Sequence, residues 1–523
     1  MAHAWPVWPD SSGLFSDLPL ARSTAITGVA INSSGPCTPP GKQGSDTFYP
    51  AWADDGLLYT PWTDGGLSAR QTVGGGRAIC APSDLCASSC GPCGAGPNGT
   101  TTGAHGEPNN GSFVQQGWAI ASGATESTMT FIRGGVFNGS SALPWQGRYP
   151  SASLVYKGVW YMGTYALAEL WGNRQFPCKN WCVMGPFVGF RHSSDHGANW
   201  VEPRRQMASD FASYSAASNL FGEAGPQCLG QINNTVPRVT DACNDFMNPH
   251  DCSPYTCVGT WRGKVKMGAP HVVDLGRELA HARAADPDGK PRAYLIGHGA
   301  TLEHQPHSWM QGSQVYLART RGEPSVAVMT HGEHWEFYAG RRPGGDVRWA
   351  TSVADAVPIL SWENKTGATT LTYVPALRRF IMCVGTPAVR SGVGAMAGDF
   401  DTYLLESERI TGPYRMITYL RSFGPQAYFV NLVSRLLSEE VETDTDGQRF
   451  VEGSMSYSAN FGDLNHSTWP NPSNTTTADG GYRWTLLRVR LLLAAKAKSG
   501  ERLTHAITSQ PARRIELTGR FDL

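Results

Sequence analysis

The sequence predicts an all-β protein, a five-bladed propeller, on three observations. Aromatic-rich hairpins recur from one end of the chain to the other. The composition suits many short strands joined by tight turns: 523 residues hold 60 Gly, 35 Pro, 17 Trp, 18 Tyr and 19 Phe, with only 16% charged. A Ser-x-Asp-x-Gly-x-x-Trp run at Ser193–Trp200 has the spacing of a locked turn. There Asp195 can accept backbone N–H groups of its own turn, Gly197 can take a positive φ, and Trp200 can open the next strand and pack on its neighbour.

The repeated unit starts at an aromatic-Pro or small-Pro step, passes a turn and ends in a Tyr- or Trp-containing run. Tyr49-Pro50-Ala51-Trp52 leads through Asp54-Asp55-Gly56 to Leu57-Leu58-Tyr59. Tyr149-Pro150-Ser151 leads through Lys157-Gly158 to Val159-Trp160-Tyr161. Ala269-Pro270-His271-Val272-Val273 leads to Tyr294-Leu295-Ile296. Thr370-Leu371-Thr372-Tyr373 leads to Phe380-Ile381-Met382, and Tyr428-Phe429-Val430 leads to the run 454–460. These are expected to be the five inner hairpins, with Phe187–Arg191, Val315–Arg319 and Thr402–Glu406 as outer strands. Trp484–Leu493 would complete the last blade, Glu278–Ala285 is a short helical insertion, and six blades is the other count the repeat allows. In domain terms, residues 1–26 form an N-terminal arm, and residues 27–523 form a single propeller. A Cys/Gly-rich insertion interrupts it around 75–115.

Charge and hydropathy exclude several function classes. The formal net charge is zero and no Lys/Arg run occurs, so nucleic acid is not an expected partner. The apolar stretch Trp484–Ala495 is interrupted by Arg488 and Arg490 and is too short to span a bilayer. Eleven of the 12 cysteines fall between Cys37 and Cys257. Disulfide-stapled loops are expected there, although Cys90-x-x-Cys93 also has zinc-ligand spacing. Sequons at Asn32, Asn98, Asn110, Asn138, Asn233, Asn364, Asn465 and Asn474 point to a secretory, extracellular route. The N-terminus Met1–Pro6 itself has neither the basic region nor the apolar core of a secretory signal. A monomer with no cofactor and no metal is expected.

In a propeller the starts of the inner strands line one mouth of the axial channel. The first hairpin is the most informative. Asp54-Asp55-Gly56 reads as a three-residue loop with Gly56 left-handed, which pairs Ala53 with Leu57. Carried back along the strands, that register sets Asp46 opposite Asp64 on one face. Two carboxylates so placed repel, raise one pKa and could serve as base and acid. Two solvated loop aspartates are the plainer alternative. Other mouth candidates are Arg148, Lys266, His271 and Glu223. His298, Glu303, His304, His307 and Trp309 cluster after the third hairpin, with a metal site as a minor alternative to substrate binding or plain loop structure. Trp62, Trp309 and Trp362 could stack on sugars or fill space between blades.

With these residues in view, the chain resembles the propeller glycosidases. Ser193–Trp200 is similar to the Asp box of sialidases, but no Arg-Ile-Pro segment or arginine triad accompanies it. Ser45–Trp52, with Tyr59–Gly65, Lys266–Asp274 and Tyr294–Gly299, looks more like the five-bladed arabinanase-type enzymes, particularly the family that includes endo-D-arabinanases. The resemblance implies a glycoside hydrolase acting on a polysaccharide or glycan, with Asp46 at the start of the first inner strand as base or nucleophile. Asp64 is then the expected acid and Glu223 the reserve. A non-catalytic carbohydrate-binding propeller is the second expectation. A polysaccharide lyase using His271 and Tyr49 is the third.

Overall fold

A computed structural model describes residues 5, 7, 20–32, 42–68, 116–137, 148–168, 183–201, 219–223, 227–232, 257–262, 265–299, 312–363, 365–387, 400–420, 423, 427–459 and 484–495. Five antiparallel sheets follow one another as blades around an axis, and each expected hairpin supplies the innermost strands of one sheet. Blade one runs from Lys42–Asp46 and Ala51–Trp52 through Leu58–Ser68 and Gln116–Ser122 to Thr130–Phe137. Blade two is Arg148–Tyr156, Val159–Ala168 and Val183–Ser193. Blade three starts with Gly268–Val272, Tyr294–Gly299 and Gln314–Thr320 and continues through Trp335–Arg341 to Val347–Ala350. Blade four is Thr370–Val374, Arg379–Pro387, Phe400–Ser407 and Arg415–Leu420. A separate hairpin pairs Gln227–Ile232 with Cys257–Arg262.

Blade five closes the ring. Its strands Ala427–Leu432, Arg449–Ala459 and Trp484–Leu493 take Ile26–Ile31 from the start of the chain as the outer strand. Trp484–Leu493 is therefore third in its blade, with the N-terminal strand outside it. The preceding residues are pinned too: Met416 N donates to Ala21 O at 2.8 Å and Ser23 N to Met416 O at 2.7 Å. The stretch Leu20–Ile26 thus runs along the edge of blades four and five.

Apolar side chains fill the spaces between blades, and the aromatic residues are concentrated there. Trp62, Phe48, Phe131 and Trp484 pack between blades one and five. Trp118, Trp160 and Tyr59 pack between one and two, while Phe190 stacks on Trp335 between two and three. Side-chain hydrogen bonds to backbone groups link neighbouring blades. Ser153 Oγ donates to Tyr59 O at 3.2 Å, Thr370 Oγ1 to Val430 O at 2.6 Å and Thr372 Oγ1 to Leu432 O at 2.9 Å. Phe48 N donates to Ser458 Oγ at 3.2 Å, joining blade one to blade five.

The first hairpin forms as its residues dictate. Ala53 N and Gly56 N donate to Leu57 O and Ala53 O, both at 3.0 Å, and Gly56 has φ +80°. Ala51 faces Tyr59, and Gly44 faces Gly66 in the same register. Between them the register slips: Asp46 faces Thr63, not Asp64. Asp64 and Gly65 together oppose Ser45, a bulge on the second strand. Beyond it, Thr47 at φ +62° takes up an extra residue on the first strand and restores the pairing. The direct Asp46–Asp64 opposition expected from the turn is therefore absent.

The Ser193–Trp200 turn follows the outermost described strand of blade two, and His192 pairs with Val201 across it. Ser193 Oγ donates to Asp195 Oδ1 at 2.8 Å and accepts Gly197 N at 2.8 Å. Asp195 also accepts Asn199 N at 2.8 Å and Asn199 Nδ2 at 2.6 Å, and these donors hold its carboxyl down at about 2. Gly197 has φ +85°, and a Cβ there would lie 3.1 Å from the Trp118 ring of blade one. The turn thus seats blade two on blade one, away from the axis. Among the described residues no helix is long and apolar enough to cross a membrane.

Candidate functional site

The starts of the inner strands converge at one end of the ring, the mouth. Arg148 opens the inner strand of blade two opposite Ala166, and Asp46 ends the first strand segment of blade one. The backbones of Asp46, Asp64 and Arg148 are described; their side chains, and all of Glu303, His304, His307 and Trp309, lie outside the described residues. So does the Cys-rich insertion. Cys228 and Cys257 sit on one hairpin but face Trp261 and Ile232, so they are not cross-strand partners. Cys383 is a free, buried thiol.

Glu223 is a well-defined titratable group beside the segment that leads into the third inner strand. It lies in a turn whose backbone Asn219 holds from both sides: Glu223 N donates to Asn219 Oδ1, and Asn219 Nδ2 donates to Glu223 O, each at 3.0 Å. The carboxylate reaches the segment just ahead of the third inner strand. Its Oε1 accepts Lys266 N at 2.6 Å, and Oε2 accepts Met267 N at 3.3 Å. Only 3% of the residue is exposed. Burial pushes its carboxyl up to about 7, and the two backbone donors only partly offset that. The Tyr316 phenol is pushed up to about 12, first by burial and then by the negative charge of Glu223. The sequence marks Glu223 only as a mouth candidate and carries no signal for the clamp or for Tyr316.

Lys266 does not present its charge to the mouth. Its Nζ donates to Ala354 O at 2.7 Å and Ala356 O at 2.8 Å and lies 5.4 Å from the Tyr316 ring centre. It is a strut tying the inner strand of blade three to the outer part of that blade, which corrects its reading as a substrate-binding residue. Trp62 is likewise corrected: it is fully buried between blades one and five. Trp362 is buried against Tyr403, with ring centres 4.6 Å apart. His298 is buried on the second strand of blade three, opposite Gly268, one position from the Glu223-bound Met267.

His271 lies on the axis below the mouth. Its ring centre is 5.2 Å from that of Tyr49, which is 5.0 Å from that of Phe429, so blades one, three and five meet there. Burial drives the imidazole down to about 3, leaving it neutral. Its Nδ1 has no hydrogen-bond partner among the described residues. Beneath these rings is a cavity of about 20 Å³, lined by Tyr49, Ser153, His271, Asp274, Thr372 and Asn431. Among the described residues no group of three His, Cys, Asp or Glu side chains could hold a metal ion.

No protein-family model and no curated protein sequence matches the chain. Solved structures resemble it weakly. The catalytic domain of a Coprinopsis cinerea GH62 α-L-arabinofuranosidase has a TM-score of 0.35 and 10% identity, covering 91% of this chain and 98% of that one. The GH43_1 enzyme of Xanthomonas citri in complex with xylotriose has a TM-score of 0.35 and 9% identity, covering 90% and 92%. A family 117 glycoside hydrolase produced by Zobellia galactanivorans has a TM-score of 0.33 and 10% identity, covering 87% and 88%. At such scores the function has to be argued from this chain's own residues.

Proposed function

We infer that the protein is a glycoside hydrolase acting on a polysaccharide or glycan at the mouth of the propeller. The observation that carries this is Glu223: a backbone-anchored, buried carboxyl raised to about 7 beside the start of an inner strand. Hydrolysis of a glycosidic bond needs one carboxyl that still holds a proton near neutral pH, to protonate the leaving oxygen. It needs a second, ionised carboxylate to activate water or attack the anomeric carbon. Glu223 takes the first role. Asp46, at the end of the first strand segment of blade one, takes the second. Without the direct opposition of Asp46 and Asp64, the case for Asp64 as the acid weakens, and Glu223 moves from reserve to first choice.

The finer reading is of an arabinanase-type enzyme with a sialidase-like Asp box at Ser193–Trp200, secreted, disulfide-stapled and monomeric. The hydrogen bonds around Asp195 support the Asp-box part of this reading, and the motifs at Ser45–Trp52 and Lys266–Asp274 the arabinanase-type part; the sequons and clustered cysteines motivate secretion and disulfides. Reducing-end release from a panel of polysaccharides tests the proposal. The parent chain should release ends from at least one of them, and Glu223→Gln should not. Binding without turnover would favour a carbohydrate-binding propeller. Products with an ultraviolet-absorbing unsaturated end would favour the lyase.

A further inference from the structure

We propose that Asp274–His281, the loop after the third inner strand, is a clasp that ties the base of all five blades together and floors the axial channel. Every other blade receives a contact from it. Arg277 Nη2 donates to Asp54 O in the basal turn of blade one. Glu278 accepts Lys157 N, from the basal turn of blade two, through Oε1 at 3.1 Å and Oε2 at 3.0 Å. In blade four, Asp274 N donates to Leu371 O and Tyr373 N to Asp274 O, both at 2.9 Å, and the His281 ring lies 5.5 Å from Tyr373. In blade five, Ser434 N donates to Asp274 Oδ2 at 3.1 Å.

The loop is shaped for this. Asp274 Oδ1 accepts Gly276 N at 2.9 Å, and His281 N donates to Leu275 O at 3.0 Å, closing the segment on itself. Gly276, Glu278 and Leu279 have φ of +80°, +54° and +56°. Left-handed backbone at two non-glycine residues costs free energy and persists only where surrounding contacts hold it. Here it turns Arg277 and Glu278 outward to two different blades while Leu279 points inward. Leu275, Gly276 and Leu279 then form part of the wall of the axial cavity. Neighbouring blades of a ring touch only each other, so a single loop reaching all of them couples openings that would otherwise be local.

Hydrogen–deuterium exchange on the full chain tests the clasp. In the double variant Arg277→Ala/Glu278→Ala, amides of the basal turns at 54–57 and 157–159 and of the cavity-lining strands 49–52 and 371–373 should exchange about tenfold faster, with a lower Tm. Glu278→Gln keeps a carbonyl acceptor for Lys157 N and should stay close to the parent. Faster exchange confined to 274–281, or no change in either measurement, would overturn the proposal. If the double variant does not fold, the single Arg277→Ala variant should still speed exchange at 54–57, and an unchanged 54–57 would overturn it equally.

Discussion

Glu223 and Lys266 meet through the Lys266 backbone N–H. The Lys266 N–H donates to Glu223 Oε1 at 2.6 Å, while Lys266 Nζ is occupied by the carbonyls of Ala354 and Ala356. An opposed ammonium would pull the carboxyl down. With the ammonium held on those carbonyls, its charge is the smallest of the lowering influences, and burial outweighs them all, so the carboxyl is raised to about 7.

The first prediction concerns pH and Glu223. Its carboxyl titrates near 4.5 when unfolded and near 7 when folded. Below pH 4.5 it is protonated in both states. As pH rises, the unfolded state ionises first, so stability falls towards pH 7 and then levels. The slope is about 1.4 kcal/mol per pH unit for one proton, roughly 3 kcal/mol in all. Denaturant unfolding of Glu223→Gln should lose this component. A parallel pH profile in parent and variant would refute the burial argument.

His271 should act in the opposite sense. Its imidazole titrates near 6.5 unfolded and near 3 folded. Stability should therefore fall as pH drops from 6.5 towards 3, again by about 1.4 kcal/mol per pH unit for one proton. His271→Gln should flatten that acid limb, measured as the difference between the two unfolding curves. An unchanged limb would mean that His271 takes up a proton in the folded state.

The two aspartates of blade one should separate. Asp46 faces Thr63, and Asp64 sits in the bulge beside it. Asp46→Asn should lower kcat by about 100-fold or more with the fold intact. Asp64→Asn should retain most of the activity. Equal losses in both variants would restore Asp64 to the chemistry.

Gly197 offers a test at a distance from the mouth. Its φ of +85° and the nearby Trp118 ring make any Cβ unwelcome. Gly197→Ala should cost about 1–2 kcal/mol from the left-handed backbone alone, read by thermal unfolding, and leave kcat/KM unchanged. A selective loss of activity would place this turn nearer the substrate than its position on blade two implies.

The sequence revealed what is local and periodic. All five inner hairpins, the left-handed Gly56 and the Ala53–Leu57 pairing were legible because turn chemistry and alternation lie within a few residues of each other. The slip at Asp46 was not, because it depends on two compensating bulges, at Asp64-Gly65 and Thr47, that leave the outer pairing unchanged. Nor was the use of Ile26–Ile31 as the closing strand, whose partner Trp484–Leu493 lies at the other end of the chain. Glu223 was visible as a carboxylate. Its proton affinity was not, since that comes from burial under segments distant in sequence, which the backbone donors of Lys266 and Met267, 43 and 44 positions away, only partly offset. Lys266 and Trp62 were misread because residue type cannot tell a channel-facing side chain from one buried between strands or blades.

The central claim is that Glu223 supplies the proton to the leaving oxygen, and one comparison tests it most directly. Once the panel has identified the sugar, Glu223→Gln should be assayed on the polysaccharide and on the dinitrophenyl glycoside of that sugar, whose leaving group needs no proton. The expected result is a loss of about 10²–10⁴-fold in kcat on the polysaccharide and a far smaller loss on the dinitrophenyl glycoside. Equal losses on both substrates, or full activity on the polysaccharide, would contradict it.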